Sequence, residues 1–188
     1  MTTKNAFIGF SASLAIAVAI GVAGSGGSIH TAGVPLFAVC GVVAFAVHWA
    51  IFLPSFLNRT EHFFDLTGMI AYLSVVAVAL IGIPQLDSRS LLLGLLIVAW
   101  TLRLGLFLFL RIRRAGRDDR FDQLKQRFAP FLMTWTLSGL WVYLTAAAAL
   151  AAMTSVQRVP LGWFAVSGAL LWLLGFSIES VADHQKFR

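Results

Sequence analysis

Four acids, one phenol and one arginine set among apolar residues are the groups in this sequence with the reach to do chemistry. In TEHFFDLTGMIAYL, Glu61, Asp65, Gly68 and Tyr72 fall at i, i+4, i+7 and i+11, which is one face of a helix. A structural role for the stripe puts Glu61 at the positive end of the helix dipole and pairs Asp65 with Arg103 or Arg111. A catalytic role makes Asp65 an orienting carboxylate and Tyr72 a hydrogen-bond donor to a ligand carbonyl, in a pocket opening to the cytoplasm. Because buried acids in membrane helices usually have a base nearby, the structural role weighs more from the residues alone.

Arg103 is the second signal. It lies in WTLRLGLFLFLRIRRAGRDDRFDQLKQR, flanked by Leu102, Leu104, Leu106 and Phe107. A guanidinium keeps its proton in a protein, so a lipid-facing position would cost about 3 kcal/mol. The side chain must face a bundle interior, an acid or a water-filled cavity. Near the end of the chain, GFSIESVADHQKFR sets Gly175, Glu179, Asp183 and Lys186 on one helical face. Two weaker signals follow. Thr134, Ser138, Trp141 and Thr145 form another stripe that would line a cavity, with Trp135 beside it as a candidate for the interfacial aromatic belt. VHWAIFLPSFLN carries His48, a packing residue by default, and Pro54, which should kink its helix.

These groups must be positioned by helices in a bilayer. The chain has 188 residues, 59% of them hydrophobic and 12% charged, with a mean hydropathy of +0.86; soluble domains run nearer 45–50% and about 25%. Apolar runs long enough to cross, roughly 20 residues, occur near 6–23, 34–57, 64–83, 90–112, 129–153 and 159–181. The fold class is therefore all-α: a polytopic transmembrane bundle of about six helices, a single domain over 1–188. Half of the 14 basic residues sit between Arg111 and Arg127, so the net charge of +6 reflects the positive-inside rule rather than nucleic-acid binding. Placing the basic loop, 113–128, in the cytoplasm puts eleven basic residues inside and only Arg89 and Arg158 outside, an N-in, C-in topology. In that loop Phe121, Leu124 and Phe128 have helical spacing, which predicts an amphipathic segment lying on the membrane surface. The lone cysteine, Cys40, allows no intrachain disulfide, and no thiolate metal site is evident.

Four ordered stretches, TEHFFDLTG, WTLRLGLFLFLRIRRAGRDDRFD, TWTLSGLWV and GFSIESVADHQK, resemble the bacterial DUF1295 membrane proteins, which belong with the steroid 5-alpha-reductase-like superfamily. The resemblance implies a multi-pass protein of the bacterial inner membrane that takes NADPH from the cytoplasmic side and reduces a conjugated C=C bond in a steroid-like or other lipid enone. Gly175, Ile178, Glu179 and Asp183 match a Gly-x-x-Ile-Asn-x-x-Ser-Asp pattern whose polar members contact the cofactor in those reductases, with Glu179 standing where they carry Asn. The implied cofactor-binding set is Glu179, Asp183, Lys186 and Arg103. The catalytic candidates are Glu61, Asp65 and Tyr72, chosen on chemistry. Reductases of that superfamily continue into an Arg-His-Pro-Asn-Tyr-type segment that closes the cofactor site, so the resemblance implies a chain incomplete in that part.

Two functions compete from the sequence. One is the reductase just described. The other is a non-catalytic integral membrane protein that binds lipid or assembles with other membrane subunits. A transporter ranks last, because no inverted repeat or broken helix pair is evident.

Overall fold

In the computed structural model, residues 2–115 and 118–186 are described. Arg117 and Arg188, both counted toward the topology above, lie outside them. Six helices among the described residues are long and apolar enough to span a membrane: α1 (Thr3–Ser25), α2 (Leu36–Leu57), α3 (Phe64–Gly82), α4 (Ser88–Ala115), α5 (Phe128–Thr154) and α6 (Trp163–Lys186). Only a helix satisfies its own backbone groups in hydrocarbon, and 19 residues, the length of α3, already reach about 28 Å. The protein is an integral, multi-pass, all-α bundle.

The ends of the spans are tied together in two separate groups. On the basic side, Arg59 donates to Gln126 at 3.0 Å, Lys125 meets Glu61 at 2.7 Å, and Arg127 donates to Thr3 at 3.1 Å. On the opposite side, Arg89 donates to the carbonyls of Ala152 and Gln157, Arg158 pairs with Asp87, and Ser28 bridges Ser155. Charges that cannot stay in hydrocarbon are thus gathered at both rims, as six crossings require.

Helix α5 is the centre, packing against α1, α2, α3 and α4, while α6 stands at the edge against α4. The main core lies between α2, α3 and α5 around Phe37, Cys40, Val75, Tyr143 and Leu150. Close approach is set by glycine: a Cβ on Gly41 would meet the Tyr143 ring at 2.7 Å, so only the missing side chain admits the ring.

One small element comes unannounced by the sequence, and two expectations are corrected by the fold. The connection between α1 and α2 holds a small antiparallel hairpin, β1 (His30–Thr31) with β2 (Val34–Pro35), turned by Ala32 at φ 49° and Gly33 at φ 81°; consecutive positive φ values match the twist of a tight hairpin. The basic loop is not an amphipathic helix on the membrane surface. It contains a short 3-10 turn, Asp119–Phe121, and folds back so that Phe121 and Leu124 pack with Phe52, Phe131 and Trp135. Trp135 is fully buried and belongs to that aromatic cluster, edge-on to Phe64 and Phe131, instead of the interfacial belt.

Candidate functional site

Tyr72 is the meeting point of two cavities. Halfway along α3, it is buried and presents its ring edge-on to Trp100 of α4 at 5.1 Å. Its hydroxyl lies 2.6 Å from Thr145 Oγ1. The Thr145 hydroxyl is itself 2.7 Å from the Trp141 carbonyl; a carbonyl only accepts, so Thr145 donates there and Tyr72 is the donor to Thr145.

On one side of Tyr72 is a cavity of about 390 Å³ between α3, α4 and α5, lined by Asp65, Gly68, Thr101, Leu104, Ser138 and Trp141 among others. On the other is a cleft of about 400 Å³ reaching α6, with Trp100, Thr145, Trp172, Gly175, Phe176 and Glu179 on its walls. The stripe read from α5 therefore does line these spaces through Ser138, Trp141 and Thr145. Thr134 instead donates back to the Pro130 carbonyl.

A charged network continues from Trp100. Its indole N–H donates to Glu179 at 3.0 Å, Glu179 pairs with Arg103 at 2.6 Å, and Arg103 donates to Asp183 at 2.8 Å, with the guanidinium 5.2 Å from the Phe176 ring centre. Arg103 thus faces α6 and its two acids, as the cost of lipid exposure demands. Asp65 pairs with Arg111 at 3.7 Å, the other partner open to it from sequence. A third cleft, about 470 Å³, lies at the basic end of α4 and α6 beside Arg103, Arg114, Ser180, Asp183 and His184.

Glu61 is not brought to this site. The helix starts at Phe64, so Glu61 sits in the preceding turn, buried, and binds Lys125 Nζ and the Asp118 backbone N–H at 3.2 Å. Burial pushes its carboxyl up, but those two donors outweigh burial and hold it below the ordinary carboxylate value. Glu61 in turn raises the Lys125 ammonium. Lys186 is exposed at the end of α6. His48 is fully buried and links α2 to α5, with Nδ1 2.7 Å from the Ala44 carbonyl and Nε2 3.0 Å from Ser138 Oγ. A larger apolar groove, about 760 Å³, runs between α1 and α2; its one phenol, Tyr143, donates to the Phe37 carbonyl and the groove carries no group suited to catalysis.

A protein family of unknown function, DUF1295, matches residues 49–188. The chain belongs to the DUF1295 family. No curated protein and no solved structure matches it. The DUF1295 segment takes in α3 to α6 with the two cavities at Tyr72, the basic cleft and the ion pairs just described, and leaves out α1 and most of the apolar groove.

Sequence reasoning missed Trp100 and Thr101. Trp100 shares a helical face with Arg103 and Phe107, at i, i+3 and i+7, so a face drawn through Arg103 finds it. Nothing in the sequence marks Thr101.

Proposed function

We propose that the chain forms the membrane-embedded part of an NADPH-dependent reductase acting on the C=C bond of a steroid-like or other lipid enone, in a bacterial inner membrane. The observation that carries this reading is the Tyr72 hydroxyl: a proton donor held between two largely apolar cavities, next to a tryptophan that is tied to a charged cleft. An enone carbonyl entering from the α3–α4–α5 side competes with Thr145 for the Tyr72 proton, and hydrogen bonding from a phenol withdraws electron density from the conjugated system. Trp100, fixed edge-on by Glu179, keeps the Tyr72 ring in place.

The groups at the basic cleft fit a pyridine dinucleotide. Arg103 and Arg114, which line that cleft, carry N–H donors of the kind that bind phosphate oxygens, and Asp183 and Ser180 beside them carry acceptors for ribose hydroxyls. When bound, the cofactor supplies hydride. The decisive experiment is a fluorescence titration with NADPH on the detergent-purified chain, followed by NADPH oxidation with a steroid enone. Saturable binding, with Tyr72→Phe cutting turnover by about 10²-fold at unchanged NADPH affinity, is the expected result; absence of saturable binding sinks the reading.

A second reading, a non-catalytic lipid-binding or complex-assembly subunit, is favoured by one observation. Glu61, Asp65, Arg103, Glu179 and Asp183 each have an oppositely charged partner within the chain, so the same acids also serve to hold helices together.

A further inference from the structure

Thr101 breaks a rule that five other threonines of the spans obey. Thr67, Thr134, Thr136, Thr145 and Thr154 each donate the hydroxyl to the carbonyl four residues earlier, the usual way a helix absorbs a hydroxyl in an apolar setting. Thr101 is only 2% exposed, yet its Oγ1 has no hydrogen-bond partner among the described residues. A buried hydroxyl without a partner is costly. Thr101 also lines the α3–α4–α5 cavity, which makes a molecule filling that space the candidate for the missing partner.

Ser138, which lines the same cavity from α5, has the complementary character. His48 Nδ1 lies 2.7 Å from the Ala44 carbonyl, which can only accept, so Nδ1 carries the proton. The ring is buried in the α2–α5 interface, where a charge would be poorly solvated, and the neutral ring leaves Nε2 as an acceptor. The Ser138 proton is therefore spent on Nε2 at 3.0 Å, and Ser138 Oγ turns lone pairs to the cavity. The cavity lining thus offers a donor, Thr101 of α4, and an acceptor, Ser138 of α5, among Phe64, Met69, Leu104 and Leu108.

We infer that the cavity between α3, α4 and α5 is a binding site for an apolar alcohol, whose hydroxyl accepts from Thr101 and donates to Ser138. A donor and an acceptor together select a hydroxyl over an ether, which can only accept, and over a hydrocarbon, which can do neither. The volume of about 390 Å³ falls in the range of small-molecule sites. The inference goes beyond the reductase reading and needs no reduction to hold.

The test is photolabelling of the chain in phosphatidylcholine nanodiscs, without NADPH, by a long-chain primary alcohol bearing a diazirine and by its methyl ether. The alcohol should label α3, α4 and α5 peptides at the cavity about two- to tenfold more than the ether, the value of one hydrogen bond. Thr101→Val should abolish that preference and Thr101→Ser restore it. Equal labelling by the two probes in the native protein, or an unchanged preference in Thr101→Val, overturns the site. Should Thr101→Val fail to fold, Ser138→Ala and competition by unlabelled alcohol against unlabelled ether decide the same question: loss of preference and competition by the alcohol alone support the site, and their absence overturns it. Because NADPH is omitted, a failed reductase assay leaves this result standing.

Discussion

Arg103 donates to Asp183 at 2.8 Å, and that bond, with its neighbour to Glu179, makes the seam between α4 and α6 charged in an otherwise apolar bundle. Both acids sit on a helix whose other faces, at Phe164, Leu170, Leu171 and Ile178, are exposed. Helices gain no hydrophobic driving force from leaving lipid for one another, so polar contacts carry more of the docking.

Replacing Arg103 with Leu should release α6. Removing one partner of a largely buried pair costs about 3–5 kcal/mol, here concentrated in one helix at the edge of the bundle. Hydrogen exchange is expected to rise across Trp163–Lys186 while α2 and α5 keep their protection. Equal protection of α6 in the variant and the native chain would show that the ion pairs do not dock it.

The pair at the basic rim should make stability acid-sensitive. The Glu61 carboxyl is held below its ordinary value by Lys125 and the Asp118 N–H despite burial, so its contribution is fully present above the unfolded carboxylate value, about 4.3, and is lost as pH falls through the lower folded value. Thermal melts should show a stability drop on acidification below about pH 4.3 that Glu61→Gln reduces, along with a lower plateau at neutral pH. A variant that melts in parallel with the native chain at every pH would remove Glu61 from this role.

Six spans were legible in the sequence because the bilayer imposes length and polarity residue by residue. That Arg103 needs a polar partner was also legible, from the cost of burying a guanidinium. Which acid it finds was not, since α3 with Asp65 and α6 with Glu179 and Asp183 both pack on α4, and which face of α4 each covers is a tertiary matter. Glu61 fell out of the Tyr72 stripe because α3 begins three residues later than a continuous face requires. Trp135 was misplaced for a related reason: a tryptophan near a helix end suits the interface, until a loop carrying Phe121 folds over it.

His48 should be structural through its two hydrogen bonds. His48→Phe keeps the bulk but strands the Ser138 hydroxyl, and a buried polar group left unpaired costs about 1–3 kcal/mol. A thermal melt of the variant should fall accordingly, with Ser138→Ala in the same background recovering part of the loss, since it removes the stranded group. No recovery in the double variant would mean that Ser138 finds another partner when His48 is gone.

Gly105 controls how closely α3 and α4 approach beside the cavity. A Cβ there would lie 2.7 Å from Met69 Cβ and 2.6 Å from its sulfur, well inside contact distance. The sulfur can swing away; Cβ moves only with the α3 backbone. Gly105→Ala should therefore push the helices apart and destabilise the chain by about 1–3 kcal/mol, the usual cost of overpacking. Met69→Ala removes the sulfur but retains Cβ, so the double variant should stay destabilised, whereas Met69→Gly should recover most of the helix spacing while adding its own cost within α3. Melting all four proteins separates the cases. If Met69→Ala alone rescued Gly105→Ala, the flexible end of Met69 would be setting the α3–α4 distance, and the backbone approach at Gly105 would have slack.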